Sequence, residues 1–151
     1  MAQSLSKLYV HIVFHIKTTS PIILHETNSE LYAYIGGVIN NLGCRPIKIG
    51  GYSDHLHILC TLSKNISLAK LVEEIKRNSS RWIKTKSPHY RNFAWQNGYG
   101  GFSVSPSHCD NLKHYIEHQF EHHSNIKFED EYTQLLRKYD VEYNPEYIFT
   151  D

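Results

Sequence analysis

The chain has 151 residues, of which 40% are hydrophobic, so we expect a single domain with a substantial core. Its net charge of +1 is uninformative as a total. Its three cysteines include no C-x-x-C pair, and no apolar run approaches the roughly 18 residues of a membrane span. A disulfide scaffold and a membrane protein are thereby disfavoured, and we expect a soluble protein in the reducing cytoplasm.

The charges are unevenly distributed along the chain. Residues 64–91 contain eight basic and two acidic residues, whereas residues 108–151 contain four basic and ten acidic ones. A basic middle segment is expected where a protein meets a polyanion such as nucleic acid. A solvated helix surface would give the same pattern, so the charge alone leaves both interpretations open.

The first half of the chain predicts three strands and one helix. Residues 8–16 are rich in β-branched and aromatic side chains, which favours a buried strand. A helical apolar period follows over residues 28–42, and Gly43 is a typical residue just after a helix end. Residues 44–51 and 55–62 then predict two strands that are close enough in sequence to pair as a hairpin.

The second half begins with a helix that Ser67 caps and that continues to Lys84. An aromatic and glycine-rich loop, a short strand, a helix and a C-terminal helix with its tail follow, at residues 87–101, 102–105, about 107–123 and 128–151. The order strand, helix, strand, strand, helix, strand predicts an α/β (α+β) fold of the ferredoxin-like type. We expect a split βαβ antiparallel sheet with helices on one face and extra C-terminal helices, in one domain over residues 1–151.

The segment from Gly50 to Cys60 carries the first candidate chemistry. His55 and His57 are two residues apart, so on a strand both side chains leave the same face. Two imidazoles pointing one way could provide half of a metal site. Because the chain has 11 histidines, a solvent-facing histidine row explains the pair equally well.

The helix at about 107–123 carries the second candidate chemistry. Tyr115 and Gln119 are four residues apart, so they lie on one helical face about one turn from each other. A phenol and an amide oxygen could therefore approach a site together.

These features together resemble the single-tyrosine HUH transposases of insertion sequences, the IS200-like transposase family. The resemblance covers almost the whole chain. Its motifs are the first strand, the His55-Leu56-His57 pair, and residues 75–80, 95–105, 115–119 and 128–132. Each motif is weak alone, but their order and spacing are specific.

The resemblance implies a metal-dependent enzyme that cleaves and rejoins single-stranded DNA at insertion-sequence ends. Tyr115 would be the nucleophile, forming a 5′-phosphotyrosine link and releasing a 3′-hydroxyl. His55, His57 and Gln119 would hold a divalent metal, Mg²⁺ or Mn²⁺. The partner would be a DNA hairpin near the element end. Similar enzymes are homodimers that exchange the tyrosine helix, so Tyr115 would serve the histidines of the other subunit. The sequence identifies no general base.

Three basic side chains are our candidates for phosphate contacts. Arg77, Arg81 and Lys84 lie on the basic helix away from its apolar stripe, where they could reach a DNA backbone.

Two other functions fit parts of the sequence. Residues 114–118 match the H-x-x-E-H motif of zinc peptidases, in which His114 and His118 would bind zinc and Glu117 would act as base. A non-catalytic nucleic-acid-binding domain on the same scaffold is the other alternative. We expect His11 and His15 to be packing or surface positions of the first strand.

Overall fold

The computed structural model describes residues 2–123 and 125–149, which form one antiparallel sheet with helices on both faces. The strands are β1 (Leu8–His15), β2 (Pro46–Gly51), β3 (His55–Leu62) and β4 (Gly100–Val104). The helices are α1 (Asn28–Asn41), α2 (Leu68–Lys84), α3 (Cys109–Glu117), α4 (Gln119–His122) and α5 (Phe128–Lys138). None of these helices is long and apolar enough to cross a membrane.

The strand order β2-β3-β1-β4 confirms the predicted split βαβ sheet. β3 lies between β2 and β1 and is paired on both sides, in a register that places His57 opposite Val13 and His55 opposite His15. β4 begins two residues earlier than predicted, because Gly100 and Gly101 already pair with β1.

The first face of the sheet packs against α1 and α2 and forms the main hydrophobic core. Alternate residues of β1 and β3, among them Ile12, Phe14 and Ile58, are fully buried there. α1 and α2 contribute the apolar residues of their helical stripes, namely Leu31, Ile35, Ile39, Leu71, Val72, Ile75 and Ile83. This packing supplies the fold with most of its buried apolar surface and leaves the other face of the sheet for different chemistry.

The second face is covered by the C-terminal helices. Val13 and Phe102 of the sheet pack against Phe128, Tyr132 and Leu136 of α5. A smaller cluster, formed by Leu59, Val104 and Ile116, joins α3 to the same face. The predicted extra helices are therefore present, and they enclose the histidines of β1 and β3. The alternative of a solvent-facing histidine row is wrong.

A close backbone approach holds α3 against β2. A Cβ atom built on Gly50 would lie 2.4 Å from the carbonyl oxygen of Ile116 and 3.0 Å from its Cγ2 atom. No residue with a side chain fits at position 50 without moving the helix. Because Ile116 follows Tyr115, this glycine fixes how closely the candidate nucleophile approaches the sheet.

The tyrosine helix predicted at about 107–123 is present as two consecutive helices. α3 ends at Glu117, and His118 has φ −103° and ψ 21°, outside the α-helical range. α4 then begins at Gln119. Tyr115 and Gln119 still lie on the same side, because both side chains donate to the same carboxylate oxygen of Glu131 in α5.

Candidate functional site

The site is built around the two histidines of β3. His55 and His57 leave the second face of the sheet, as their spacing predicts, and each is fully buried. The ring of His55 stacks on Phe128 of α5 at a centroid distance of 4.4 Å. The ring of His57 lies edge-on to Tyr115 of α3 at 5.7 Å. The structure thus brings the predicted histidine pair and the predicted nucleophile together within one chain.

The outer nitrogen of each histidine has a partner that fixes its ring. His55 Nδ1 donates to Asp54 Oδ1 at 2.8 Å. His57 Nδ1 lies 2.8 Å from Nε2 of the buried His11. In both residues Nε2 is the atom that faces the interior of the site. A partner on the outer nitrogen is the arrangement by which proteins orient imidazoles that bind metals.

His11 therefore has a structural role in the site that the sequence does not indicate. The expectation that it is a packing or surface position is incomplete, since its ring orients His57. Its Nδ1 atom is buried and has no hydrogen-bond partner among the residues that the structure describes. His15 packs against Phe128 at 5.5 Å and donates from Nδ1 to its neighbour's carbonyl, and its Nε2 likewise has no partner among the described residues.

Gln119 and Tyr115 approach the histidines from α4 and α3. Gln119 is almost completely buried, and its Oε1 atom accepts from His55 Nε2 at 2.9 Å. Its Nε2 atom donates to Glu131 Oε2 at 2.9 Å. The Tyr115 hydroxyl donates to the same carboxylate oxygen. All four residues that the sequence assigned to catalysis or metal binding therefore meet at one point.

Glu131 of α5 occupies the centre of the site. Its side chain is only 2% exposed. Its Oε1 atom lies 2.9 Å from His57 Nε2 and 3.4 Å from His55 Nε2. It also lies 2.9 Å from Nε2 of His123, whose Nδ1 donates to the carbonyl of Ile126 at 2.7 Å. A third imidazole thus faces inward with its outer nitrogen held.

Sequence reasoning did not identify Glu131 or His123. In the sequence, the segment 128–132 contributes to the family resemblance without indicating a role for any one residue. One signal was available, because Glu131 lies between Phe128 and Tyr132 on the apolar face of α5. A carboxylate on the buried stripe of an amphipathic helix requires buried partners. His123 carried no such signal among the chain's 11 histidines.

The pKa values of the two histidines of β3 are shifted in opposite directions in the metal-free protein. Burial disfavours a charged His55, but hydrogen bonds to Asp54 and Glu131 outweigh burial and raise the pKa of His55 to about 9. For His57, burial is the dominant influence and lowers its pKa to about 4. His55 is therefore a cation at neutral pH and His57 is neutral.

The same surroundings shift the pKa values of the Glu131 carboxyl and the Tyr115 phenol. Burial opposes the ionisation of Glu131, but hydrogen bonds from three histidines outweigh it and hold the pKa of this carboxyl well below its usual range. Burial, followed by the adjacent charge of Glu131, raises the pKa of Tyr115 above its ordinary value. The site thus holds an ionised carboxylate beside a protonated phenol.

This donor set fits a divalent cation. One ligand atom each from His55, His57, His123 and Glu131 lies within 4.8 Å of every other. Gln119 Oε1 is directed at the same space, since it lies 2.9 Å from His55 Nε2. Imidazole nitrogens with carboxylate and amide oxygens suit ions such as Mn²⁺, Co²⁺ and Zn²⁺, and the oxygens also suit Mg²⁺.

A cavity of about 540 Å³ leads to Tyr115 from the outside. Its wall is formed by β4, α3 and α5 and includes both Tyr115 and Glu131. The polar and basic side chains that line it are His11, Ser103, Ser105, His108, Asn111, Gln134 and Lys138. A cavity of this size gives a substrate access to the phenol.

The basic helix lines a separate groove of about 450 Å³. Arg77 and Lys84 form part of its wall, together with the basic side chains of Lys17 and Lys76, whereas Arg81 is exposed on α2 and does not line it. The aromatic loop closes the groove with Phe93, Trp95 and Tyr99. Phe93 and Trp95 are buried in the main core, whereas Tyr99 is exposed, so the groove combines basic side chains with one accessible aromatic ring.

The H-x-x-E-H motif lies on the surface of α3. Ligand atoms of His114, Glu117 and His118 lie within 4.8 Å of one another, and all three residues are exposed. Glu117 is paired with Lys48 of β2 at 3.3 Å. A carboxylate in an ion pair at the surface is unsuited to act as the general base of a peptidase.

Comparison with known proteins identifies the family. The family model described as "Transposase IS200 like" matches residues 4–119. The structure is similar to that of a candidate transposase from Deinococcus radiodurans, with 20% identity, a TM-score of 0.61, and coverage of 80% of this chain and 96% of that one.

It is also similar to a REP-associated tyrosine transposase bound to a REP hairpin, with 14% identity, a TM-score of 0.51, and coverage of 79% of this chain and 70% of that one. At these identities the structural likeness establishes the fold alone. Among curated proteins, none matches the chain significantly. The match over residues 4–119 carries the assignment, and the chain belongs to the IS200-like transposase family.

Proposed function

We propose that this protein is a DNA transposase that cleaves and rejoins single-stranded DNA through Tyr115, with a divalent metal ion. The observation that carries the proposal is the convergence of Tyr115, His55, His57 and Gln119 on one buried point that a cavity connects to solvent. The solved relative that is bound to a REP hairpin supports DNA as the partner. Since a DNA substrate and free cysteines both fit the cytoplasm, we place the protein there.

In the proposed reaction the Tyr115 oxygen attacks the phosphorus of the scissile phosphodiester. The bond between phosphorus and the tyrosine oxygen forms as the bond to the 3′-oxygen breaks. One DNA fragment is then joined to Tyr115 through its 5′-phosphate, and the other leaves with a 3′-hydroxyl. The proton that Tyr115 loses balances the proton that the departing 3′-oxygen gains, and the hydrogen bond to Glu131 orients the phenol before attack. The phosphate remains a diester in the link to Tyr115. Attack on this link by the 3′-hydroxyl of another DNA end therefore reverses the step and rejoins DNA.

His55, His57 and Gln119 would hold the metal, which when bound supplies charge neutralisation and polarisation of the scissile phosphate. The chain's own contribution is orientation. Asp54 and His11 hold the outer nitrogens of the two histidines, and burial excludes water from their inner nitrogens. We propose Mg²⁺ or Mn²⁺ as the ion in the cell.

Arg77, Arg81 and Lys84 are proposed to contact DNA phosphates, with the groove beside α2 as the binding surface. The groove contains Arg77 and Lys84, so these two should contribute more than Arg81. Replacing all three with alanine should weaken hairpin binding at every sequence and reduce its salt dependence. A salt dependence equal to that of the wild type would contradict this assignment.

The family resemblance further predicts a homodimer that exchanges tyrosine helices. In the single chain, Tyr115 already lies beside its own His57. Mixing His57→Ala with Tyr115→Phe protein separates the two arrangements. Recovered cleavage would support exchange, and its absence would indicate that each chain uses its own tyrosine.

The decisive experiment is incubation of the protein with single-stranded DNA hairpins and Mn²⁺ or Mg²⁺, followed by a denaturing gel. We expect a covalent protein–DNA species in the wild type and none in Tyr115→Phe. Hairpin binding without any covalent species would instead favour the non-catalytic DNA-binding alternative.

A further inference from the structure

We propose that Glu131 of α5 is a ligand of the divalent metal through Oε1 and positions Tyr115 and Gln119 through Oε2, with His123 as a further nitrogen ligand. The proposal extends the metal site of the proposed function. Neither residue lies in the segment matched by the family, which ends at residue 119. The C-terminal part of the chain would then be required to complete the site.

The position of Oε1 is the first argument. It lies 2.9 Å from the inner nitrogens of His57 and His123 and 3.4 Å from that of His55. Each of these three imidazoles has its outer nitrogen held, by His11, Ile126 and Asp54 respectively. Three inward-facing nitrogens and one carboxylate oxygen can bind a single divalent cation.

The position of Oε2 is the second argument. It accepts from the Tyr115 hydroxyl and from Gln119 Nε2. The bond to the amide nitrogen turns Gln119 Oε1 towards His55, on the side where a metal would lie. One carboxylate thus connects the predicted nucleophile, the predicted amide ligand and the histidines.

Charge is the third argument. His55, His57 and Gln119 are all neutral as ligands, whereas Mg²⁺ and Mn²⁺ favour at least one anionic oxygen. Within the described residues, Glu131 is the buried carboxylate, since the other acidic side chains are exposed or half-buried. Among the described residues, Glu131 would therefore supply the anionic oxygen of the site.

The test measures binding of Mn²⁺ alone by titration calorimetry, using the full chain. Glu131→Gln keeps the size of the side chain and removes its charge. We expect its Kd for Mn²⁺ to rise more than about 100-fold, beyond the 10–100-fold that follows loss of an outer partner of a ligand. Glu129→Gln, on the exposed side of the same helix, is the matched control and should bind as the wild type does.

Two further measurements make the result independent of folding and of activity. The visible spectrum of bound Co²⁺ should change in Glu131→Gln and in His123→Gln, and remain unchanged in Glu129→Gln. If Glu131→Gln does not fold, Glu131→Asp keeps the charge on a shorter side chain and should bind Mn²⁺ more weakly than the wild type. Wild-type affinity in that aspartate variant would overturn the proposal.

Wild-type or tighter Mn²⁺ binding by folded Glu131→Gln would also overturn the proposal. It would indicate that the Glu131 side chain occupies the metal position in the metal-free protein and must move when a metal binds. These outcomes differ from failure of the proposed function. Without that function, the wild type forms no covalent DNA species, yet its Mn²⁺ affinity still depends on Glu131. Tyr115→Phe should lose the covalent species and retain Mn²⁺ binding.

Discussion

Replacing Gly50 with alanine should displace the tyrosine helix and slow DNA cleavage. The added Cβ would lie 2.4 Å from the carbonyl oxygen of Ile116, whereas ordinary contacts begin at 3.4 Å. Because the opposing atom belongs to the backbone of α3, the helix must move by about 1 Å. A displacement of that size at a reacting group costs roughly 100-fold in rate.

The variant should also be less stable. Forcing extra atoms into a packed interface costs about 1–3 kcal/mol, which lowers Tm by about 2–4 °C per kcal/mol in a chain of this size. The assay is the single-turnover rate of covalent protein–DNA formation, measured well below the Tm of the variant, together with a thermal melt. A rate loss at a temperature where the variant is folded reports displacement of the helix.

Gly37→Ala is the matched control, since nothing lies within 4 Å of a Cβ atom at this position of α1. This variant should gain up to about 1 kcal/mol in stability and keep the wild-type rate. A wild-type rate and Tm in Gly50→Ala would refute the claim that close backbone contact positions Tyr115.

Three other perturbations have definite expected outcomes. Ser79→Ala removes the acceptor, 3.0 Å away, of the buried Trp95 indole N–H, and should cost about 1–3 kcal/mol by urea unfolding. Burial lowers the pKa of Lys76 from 10.5 to about 8. The unfolded chain therefore binds more protons between these values, so the Tm of the wild type should rise relative to Lys76→Met as pH increases from 8 to 10. Chelation of divalent ions should abolish the covalent DNA species and leave hairpin binding intact, as a gel shift would show.

Local patterns predicted the elements that have strong periodicity. Alternation in β3 placed His55 and His57 on one face, and the helical repeat placed Tyr115 near Gln119. These inferences need only the geometry of one element. The strand order also followed from the order of elements, because a split βαβ chain has few ways to pair its strands.

Contacts between distant elements could not be inferred in the same way. His11 orients His57 because of the register between β1 and β3, which the sequence does not specify. Glu131 reaches the histidines because α5 crosses the second face of the sheet. Its distance in sequence from His57 is 74 residues. Arg77 lines the groove and Arg81 does not, and this difference likewise depends on how α2 meets the aromatic loop.

The position of β3 has a consequence for the kinetics of amide hydrogen exchange. β3 is hydrogen-bonded to β1 and β2, so its amides should exchange only when the whole domain unfolds. α5 belongs to the periphery of the fold and should open by local fluctuations. A cation held by residues from both elements would couple them, since opening α5 would then require its release. Because unfolding of the whole domain also releases the cation, Mn²⁺ should slow amide exchange both along α5 and in β3.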